Sequence, residues 1–429
     1  MTSELITLMN GREIGRVRRG IQSRLSFTYA KEWQDDPDAY PLSLSMPLGA
    51  AEHGHVPIVN FLWGLLPDNE RVLSKWASKF HVSPSNPYAL IANVGEDCAG
   101  AAQFVAPERV DAVLNSRASK VEWLSDADIA QRLKALKADH AAWRAPRDTG
   151  QFSLAGAQPK TALLKEGHRW GVPSGRTPTT HILKPPTGEF DGHAENEHFC
   201  LRLARAVGLP TATSEITWFE DEMAIVVERY DRVVTKDGIL RAHQEDICQA
   251  IGLHPSKKYE NEGGPGAESI VKLLRDHSSA RAEDVETFLD AFIFNWLIAG
   301  SDAHAKNYSL LIGAGGRVRL APLYDLASAL PYDALNTKKL KLAMRVGKKY
   351  RLSDIGPRDW SAFAQDVGVK ETAMQMRILS LIDRMEGKME IVRSDILKAG
   401  VRHPVIDLLV DRLRSRLTQC RRMFLPQAA

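Results

Sequence analysis

The chain has 429 residues, 44% hydrophobic and 25% charged, with a formal net charge of +3 at pH 7. These values exclude a disordered or membrane-embedded polypeptide and give no sign of a dedicated nucleic-acid binder. The length suffices for two or three domains, each with its own core. Cys98, Cys200, Cys248 and Cys420 lie far apart with no C-x-x-C pair, so buried reduced thiols are expected, with no disulfide or metal site.

In chain order, "LITLM-NG-REIGRV" reads as a hairpin, because Asn10-Gly11 suits a type I′ turn between two strand-like runs. Helical patterning follows in "VNFLWGLLPDNERVLSKWASKF", and "CAGAAQFV" reads as a closing strand near residue 105. In the polar connector beyond it, "LSDADIAQRLKALKAD" reads as a helix capped by Ser125, with Asp128 in its first turn. From about 150 the pattern is strand-like in "QFSLAGAQPKTALL", "THILKPP", "SEITWF" and "MAIVVERYDR". One helix, "ENEHFCLRLARAVGL", interrupts it. From about 243 helices dominate: "AEDVETFLDAFIFNWLIAG", "KETAMQMRILSLIDRMEGKMEIVRSDIL" and "PVIDLLVDRLRSRLTQCRRMF". The N-terminus lacks a long apolar stretch, and the longest apolar run, "FLDAFIFNWLIAG", carries Asp290 and is too short to span a bilayer. A soluble, cytoplasmic α+β protein is expected. It should have two lobes with a cleft between them, a mixed α/β lobe followed by a helical lobe. The divisions fall at 1–105, 106–242 and 243–429.

The polar insertion in "NWLIAGSDAHAKNYSLLI" carries the chemistry. Asp302 and Asn307 have the D-x-x-x-x-N spacing, in which a carboxylate accepts the proton of an attacking hydroxyl while an amide oxygen holds Mg²⁺ on phosphates. A turn at Gly313–Gly316 and a short strand "RVRLAPL" follow. Asp325, expected at the end of that strand, stands where a kinase places its main metal ligand. Asp302 as a helix or turn cap is the bland alternative. His304 reads as a side chain bracing this loop, and neither it nor His243 has metal-ligand spacing.

Upstream, "FSLAGAQPK" (152–160) sets one Gly between alanines, small enough for backbone N–H groups to approach phosphates, or merely an ordinary turn. Lys184 ends "THILK", where a strand lysine can pair with phosphates. Glu197 in the next helix is the candidate to hold it, with Glu195 as competitor. The backbone of Glu228, Arg229 and Tyr230 lies where an adenine edge would be met.

These blocks, with "HQEDICQAIGL", "KYENEGGPG", "LAPLYDLASA" and the N-terminal "LPDN" and "NPYALIANVGEDCAGA", resemble the HipA-type serine/threonine kinase toxins of bacterial toxin–antitoxin systems over nearly the whole chain. The resemblance implies a two-lobed protein-kinase-like fold with a mixed α/β N-terminal lobe, an accessory N-terminal subdomain and an all-helical C-terminal lobe, and ATP and Mg²⁺ as cofactors. It implies an ATP loop at Ala155, Gly156, Ala157, Gln158, Pro159 and Lys160, with Lys184 on phosphate and Glu228–Tyr230 at adenine. It makes Asp302 the catalytic base, and His304, Ala305, Lys306, Asn307, Tyr324 and Asp325 the rest of the nucleotide and metal site. Ser153 would be the autophosphorylated serine. Pro159 stands where the family carries an acidic residue and removes an N–H from the loop.

The same resemblance implies a helix-turn-helix antitoxin (HipB-like) as partner, operator DNA reached mainly through that antitoxin, and an aminoacyl-tRNA synthetase as protein substrate. The loop-like basic stretch "KKLKLAMRVGKKYR" offers Lys348, Lys349 and Arg351 for DNA, or simply a solvated face. "RLRSRLTQCRRMF" reads as a surface helix with one apolar stripe. The rival functions are a small-molecule phosphotransferase and a non-catalytic corepressor scaffold.

Overall fold

The computed structural model describes residues 4–114, 120–143, 152–188 and 190–425. The chain forms two compact units. The first is Met1–Thr187, Thr217–Pro255 and Ser309–Val318; the second is Gly188–Ile216, Ser256–Tyr308 and Arg319–Ala429.

The first unit opens on the expected hairpin. Strands β1 (Glu4–Met9) and β2 (Arg12–Arg19) are joined by Asn10 at φ 48° and Gly11 at φ 85°, the two positive angles a type I′ turn needs. Strands β3 (Leu25–Tyr29), β4 (Glu52–His53) and β5 (Ala102–Val105) complete a sheet of order β4-β3-β2-β1-β5, β5 pairing antiparallel with β1. Its inner face, with Leu5, Val17 and Phe27, joins one core with Phe61, Leu62, Trp76 and Trp143. The helical run expected over 59–80 is two helices, His55–Leu65 and Glu70–Phe80. Pro67 cannot donate a helical N–H, and Asn69 starts the second helix by accepting from the N–H groups of Arg71 (3.0 Å) and Val72 (3.3 Å).

The second sheet contains β6 (Val121–Leu124), β7 (Thr161–Glu166), β8 (Arg169–Pro173), β9 (His181–Lys184), β10 (Ser214–Phe219) and β11 (Glu222–Glu228), in the order β10-β11-β9-β7-β8-β6. Residues 152–160, strand-like in sequence, are loop, and β7 begins only at Thr161. The helix Asp126–Ala138 starts at the expected N-cap Ser125, which forms a capping box with Asp128. Beyond the sheet come a hairpin, β12 (Arg232–Thr235) with β13 (Gly238–Arg241), and a three-stranded sheet of β14 (His243–Asp246), β15 (Ser309–Gly313) and β16 (Arg317–Leu320).

Buried charge ties these pieces together. Asp97 accepts from Arg232 Nη2 at 2.8 Å and from the N–H and hydroxyl of Thr179 at 2.9 and 2.7 Å. Asp231 takes Arg229 and Arg232 at 2.9 Å each and the Gly100 N–H at 2.7 Å. Burial pushes both carboxyls up, but the guanidiniums around them outweigh it and hold both below the ordinary carboxylate range. Burial pulls the third guanidinium, Arg241, down to about 10.

The second unit is mostly helical. The helix Arg281–Leu297 lies at its centre, its Phe292 and Trp296 meeting Trp360 edge-on at 5.8 and 5.2 Å. Helices Glu371–Lys398 and Pro404–Phe424 pack there too, the last burying Leu409, Leu413, Leu417 and Phe424, the single stripe read from its sequence. The basic segment read as loop-like is a hairpin, β17 (Lys341–Val346) with β18 (Lys349–Arg351), turned at Gly347 with φ 57°. All four cysteines are free and buried, and no helix among the described residues is long and apolar enough to cross a membrane.

Two predictions follow from the buried charges. Asp97→Ala leaves three arginines facing Asp231 alone and should cost about 3–5 kcal/mol in urea unfolding, the scale of an orphaned buried charge. Glu245, 1% exposed, accepts the Leu44 N–H at 2.8 Å, while its Oε2 has no partner among the described residues. Burial pushes it up to about 8, against the opposing pull of the Leu44 N–H and the Ser43 hydroxyl and with a small push from Asp246. Between the ordinary carboxyl value and about 8, the folded chain therefore holds one proton more than the unfolded chain, and stability falls as pH rises through that window. Glu245→Gln keeps the shape and cannot ionise. It should match wild type near pH 4 and exceed it above pH 8 by up to about 4 kcal/mol, read from unfolding curves across pH.

Candidate active site

In the first unit the loop 152–160 is built from the core outward. Phe152 and Leu154 are buried in the hydrophobic core, and between them Ser153 is fully buried. Its hydroxyl donates to the Leu65 carbonyl at 2.7 Å and its N–H to the Asp97 carbonyl at 2.9 Å. Gly156 adopts φ +102°, open to glycine and strained for other residues. Its carbonyl accepts the Asp68 N–H at 3.1 Å, which explains the "LPDN" block as a strut for this loop. Lys160 folds back on the loop. Its ammonium donates to the Ala155 carbonyl at 2.7 Å, lies 5.3 Å from the Trp143 ring centre, and sits 2.5 Å from where a Cβ at position 156 would stand. Ala157 is exposed, Ala155 and Gln158 half-buried and Pro159 buried.

Lys184 is the last residue of β9, 4% exposed, opposite Ile225 in β11. Glu228, exposed, ends β11. Arg229, expected with Glu228 and Tyr230 at an adenine edge, is buried. Its guanidinium is spent on Asp231 and Thr179, its N–H on the Thr180 carbonyl (2.9 Å), and its carbonyl accepts Arg232 N–H (3.1 Å). The Tyr230 hydroxyl donates to Gln244 Oε1.

In the second unit the helix Arg281–Leu297 ends where Ala299 takes φ 55° and Gly300 donates to the Asn295 carbonyl at 2.7 Å. The chain then exposes Asp302. The Asp302 carbonyl accepts the His304 N–H at 2.8 Å and Asn307 Nδ2 at 3.1 Å, so Asp302 and Asn307 are brought together through one short 3₁₀ turn, Ala305–Asn307. His304 and Lys306 are buried, and the His304 ring meets Tyr259 edge-on at 5.0 Å, a bracing position. The Tyr324 hydroxyl donates to the Lys306 carbonyl at 2.6 Å, joining the two predicted segments. Asp325 is exposed and, unlike the sequence expectation, does not end β16. That strand stops at Leu320, and Asp325 takes φ 52°, a costly backbone for a residue with a Cβ. The segment is held by Leu323 pairing with Pro210 and Ala212 (2.8 Å each) and by Ser328 exchanging hydrogen bonds with Asn196 (2.7 and 3.0 Å). Glu195 and Glu197, on the same helix as Asn196, are 5% and 2% exposed.

The donors fit Mg²⁺. Asn307 commits its amide nitrogen to Asp302, and its amide oxygen takes no hydrogen bond among the described residues. With the carboxylate of Asp325 it would supply hard oxygen ligands. No cluster of three or more His, Cys, Asp or Glu suited to a metal occurs among the described residues.

Sequence reasoning missed Tyr259, whose hydroxyl donates to Asp302 Oδ1 at 2.6 Å. The signal was the block "KYENEGGPG", noticed but given no role. Lys348, Lys349 and Arg351 are all exposed on the β17–β18 hairpin, whereas Arg345 beside them is bound to Glu260 and Glu268.

Comparison with known proteins gives the same assignment for both ends of the chain. Residues 5–105 match the model of the HipA N-terminal domain and residues 152–389 that of the HipA-like C-terminal domain. The serine/threonine-protein kinase toxin HipA of Shewanella oneidensis is 30% identical over 375 residues, 83% of this chain and 81% of that protein. A Sinorhizobium fredii protein, Y4mE, is 38% identical over 376 residues, 87% of this chain and 88% of its own. The Shewanella HipA chain, solved in complex with HipB and operator DNA, superposes with a TM-score of 0.83 at 26% identity over 97% of both chains. With both of its domains matched and its fold shared along almost its whole length, the chain belongs to the HipA family.

Proposed function

We propose that the protein is a serine/threonine-protein kinase toxin that transfers the γ-phosphoryl group of Mg-ATP to a protein. The observation that supports this reading is the loop Asp302–Asn307, in which the Asn307 amide nitrogen donates to the Asp302 carbonyl while the exposed Asp302 carboxylate is held at Oδ1 by Tyr259. Mg-ATP supplies the phosphoryl group and the metal charge that neutralises it. Asp302 orients the acceptor hydroxyl and takes its proton as the oxygen bonds to phosphorus and ADP leaves. Asn307 and Asp325 hold the metal. Lys184 and the loop Ala155–Lys160 bind phosphate, and Glu228 and Tyr230 border the adenine. Residues 1–105 serve as accessory subdomain, 106–242 carry the nucleotide loop, and 243–429 the catalytic and metal-binding residues. Rate enhancement comes from positioning and electrostatics.

The target we assign is an aminoacyl-tRNA synthetase, with arrest of translation and growth as the result. A HipB-like antitoxin is the partner, as in the Shewanella complex, with operator DNA contacted through it and the chain acting as corepressor; Lys348, Lys349 and Arg351 are available to phosphates there. A small-molecule phosphotransferase would label no protein, and a scaffold would label nothing.

Incubation of lysate with γ-labelled ATP separates these readings. The wild-type chain should label protein, and Asp302→Ala should lower transfer about 10²-fold or more, the scale of a positioned base, while its unfolding curve stays unchanged. Wild-type turnover in the variant would overturn the assignment of Asp302.

Ser153 is the proposed autophosphorylation site. Its burial means the loop must leave its seat for the hydroxyl to be reached, and a phosphate of about −1.5 to −2 charges could not return beside Leu65 and Asp97. A phosphopeptide map after long incubation with Mg-ATP should show Ser153 modified in wild type and unmodified in Asp302→Ala, with ATP binding lost in the modified form. Full ATP affinity in that form would sink the switch.

A further inference from the structure

The carboxylate of Asp302 is exposed and sits on a loop, a setting in which a side chain ordinarily samples several rotamers. Among the described residues it accepts one side-chain hydrogen bond, from the Tyr259 hydroxyl to Oδ1 at 2.6 Å, and none at Oδ2. The donor is held more firmly than the acceptor. The Tyr259 carbonyl takes the N–H groups of Glu262 (3.1 Å) and Gly264 (2.9 Å). A Cβ at Gly264 would stand 2.1 Å from the Lys257 carbonyl, so only glycine closes this turn. The next residue, Glu260, accepts the Arg345 N–H at 2.7 Å and pairs with its Nε at 3.2 Å. The Tyr259 ring is flanked by His304 edge-on and by the Lys258 ammonium, 5.5 Å from its centre, and the Lys258 carbonyl accepts the Ala305 N–H at 3.2 Å.

A rigid phenol thus selects one rotamer of a carboxylate that has no other side-chain restraint among the described residues. A hydrogen bond to a charged acceptor is short and strong enough to do so. We propose that Tyr259 is a positioning residue for phosphoryl transfer, fixing Asp302 through Oδ1 so that Oδ2 is presented to the acceptor hydroxyl. This rests on the reading of Asp302 as the base. The opposite role is a phenol that merely fills the acceptor's place and slows the enzyme.

Tyr259→Phe in the full chain removes one oxygen and keeps the ring and its neighbours. In the lysate labelling assay, the rate at saturating ATP should fall roughly 10- to 100-fold, while the ATP concentration at half-maximal rate stays within about twofold and the melting temperature within about 2 °C. In an Asp302→Ala background the same change should cost nothing more, because the group it positions is gone. An unchanged or faster rate in Tyr259→Phe, a loss matched by equally weakened ATP use and a lower melting temperature, or a full further loss in the double variant would each overturn the proposal while leaving Asp302 as base. A wild-type chain that transfers no phosphate removes both.

Discussion

The pairing of Asp97 with Arg232, Arg229 and Thr179 is the constraint on which the first unit is organised. One residue of the N-terminal region meets β12, the end of β11 and the residues before β9 through its carboxylate, and the root of the loop 152–160 through its carbonyl. Ion pairs this deep add little net stability over an apolar core of the same volume. Their effect is to make every alternative packing leave a charge unmatched. Arg229 illustrates it: a residue at the end of a sheet strand, beside an expected nucleotide edge, has guanidinium, N–H and carbonyl all committed inward. The strand Glu222–Glu228 is thereby fixed at the end where a ligand would approach.

The second unit reaches the same end by other means. Asp302 and Asn307 sit on a stretch with few apolar anchors of its own, and hydrogen bonds to main-chain carbonyls replace packing: Gly300 to Asn295, Ala305 to Lys258, Tyr324 to Lys306. Ala299, just before this stretch, and Asp325, just after Tyr324, both take left-handed backbone angles despite their Cβ atoms. Such angles persist only when the surroundings overdetermine them, and here the surroundings are the Asn196–Ser328 clasp and the Pro210–Leu323–Ala212 bridge.

Local rules were legible in the sequence where neighbours along the chain decide the outcome. Asn10-Gly11 specified its turn, Ser125 and Asp128 their cap, and the spacing of Leu409, Leu413, Leu417, Cys420 and Phe424 by three or four residues its buried stripe. Pro67 was equally visible, but the apolar period running through it suggested one helix where there are two. The Lys341–Arg351 hairpin was obscured because lysines and arginines mask its alternation, although Leu342 and Met344 point inward. The buried cluster was invisible in principle: Asp97 and Arg232 are 135 residues apart, and nothing local marks them as partners. Tyr259 and Asp302 are 43 apart, and a tyrosine in a glycine-rich block has many more ordinary uses. The D-x-x-x-x-N pair was found because its chemistry is confined to one turn.

The complete burial of Ser153 gives time a place in this structure. A serine with no solvent contact, its hydroxyl and its N–H each making one hydrogen bond, becomes available only in the rare molecules whose segment has opened. Under the proposed self-modification, the pace of inactivation then follows how often the segment opens, with the chemistry waiting on it. Opening is a random event for each molecule, so identical copies in one cell would fall silent at scattered moments along an exponential decay. Substitutions around Leu65 or Asp97, remote from any reacting atom, would lengthen or shorten that decay as the setting of a clock.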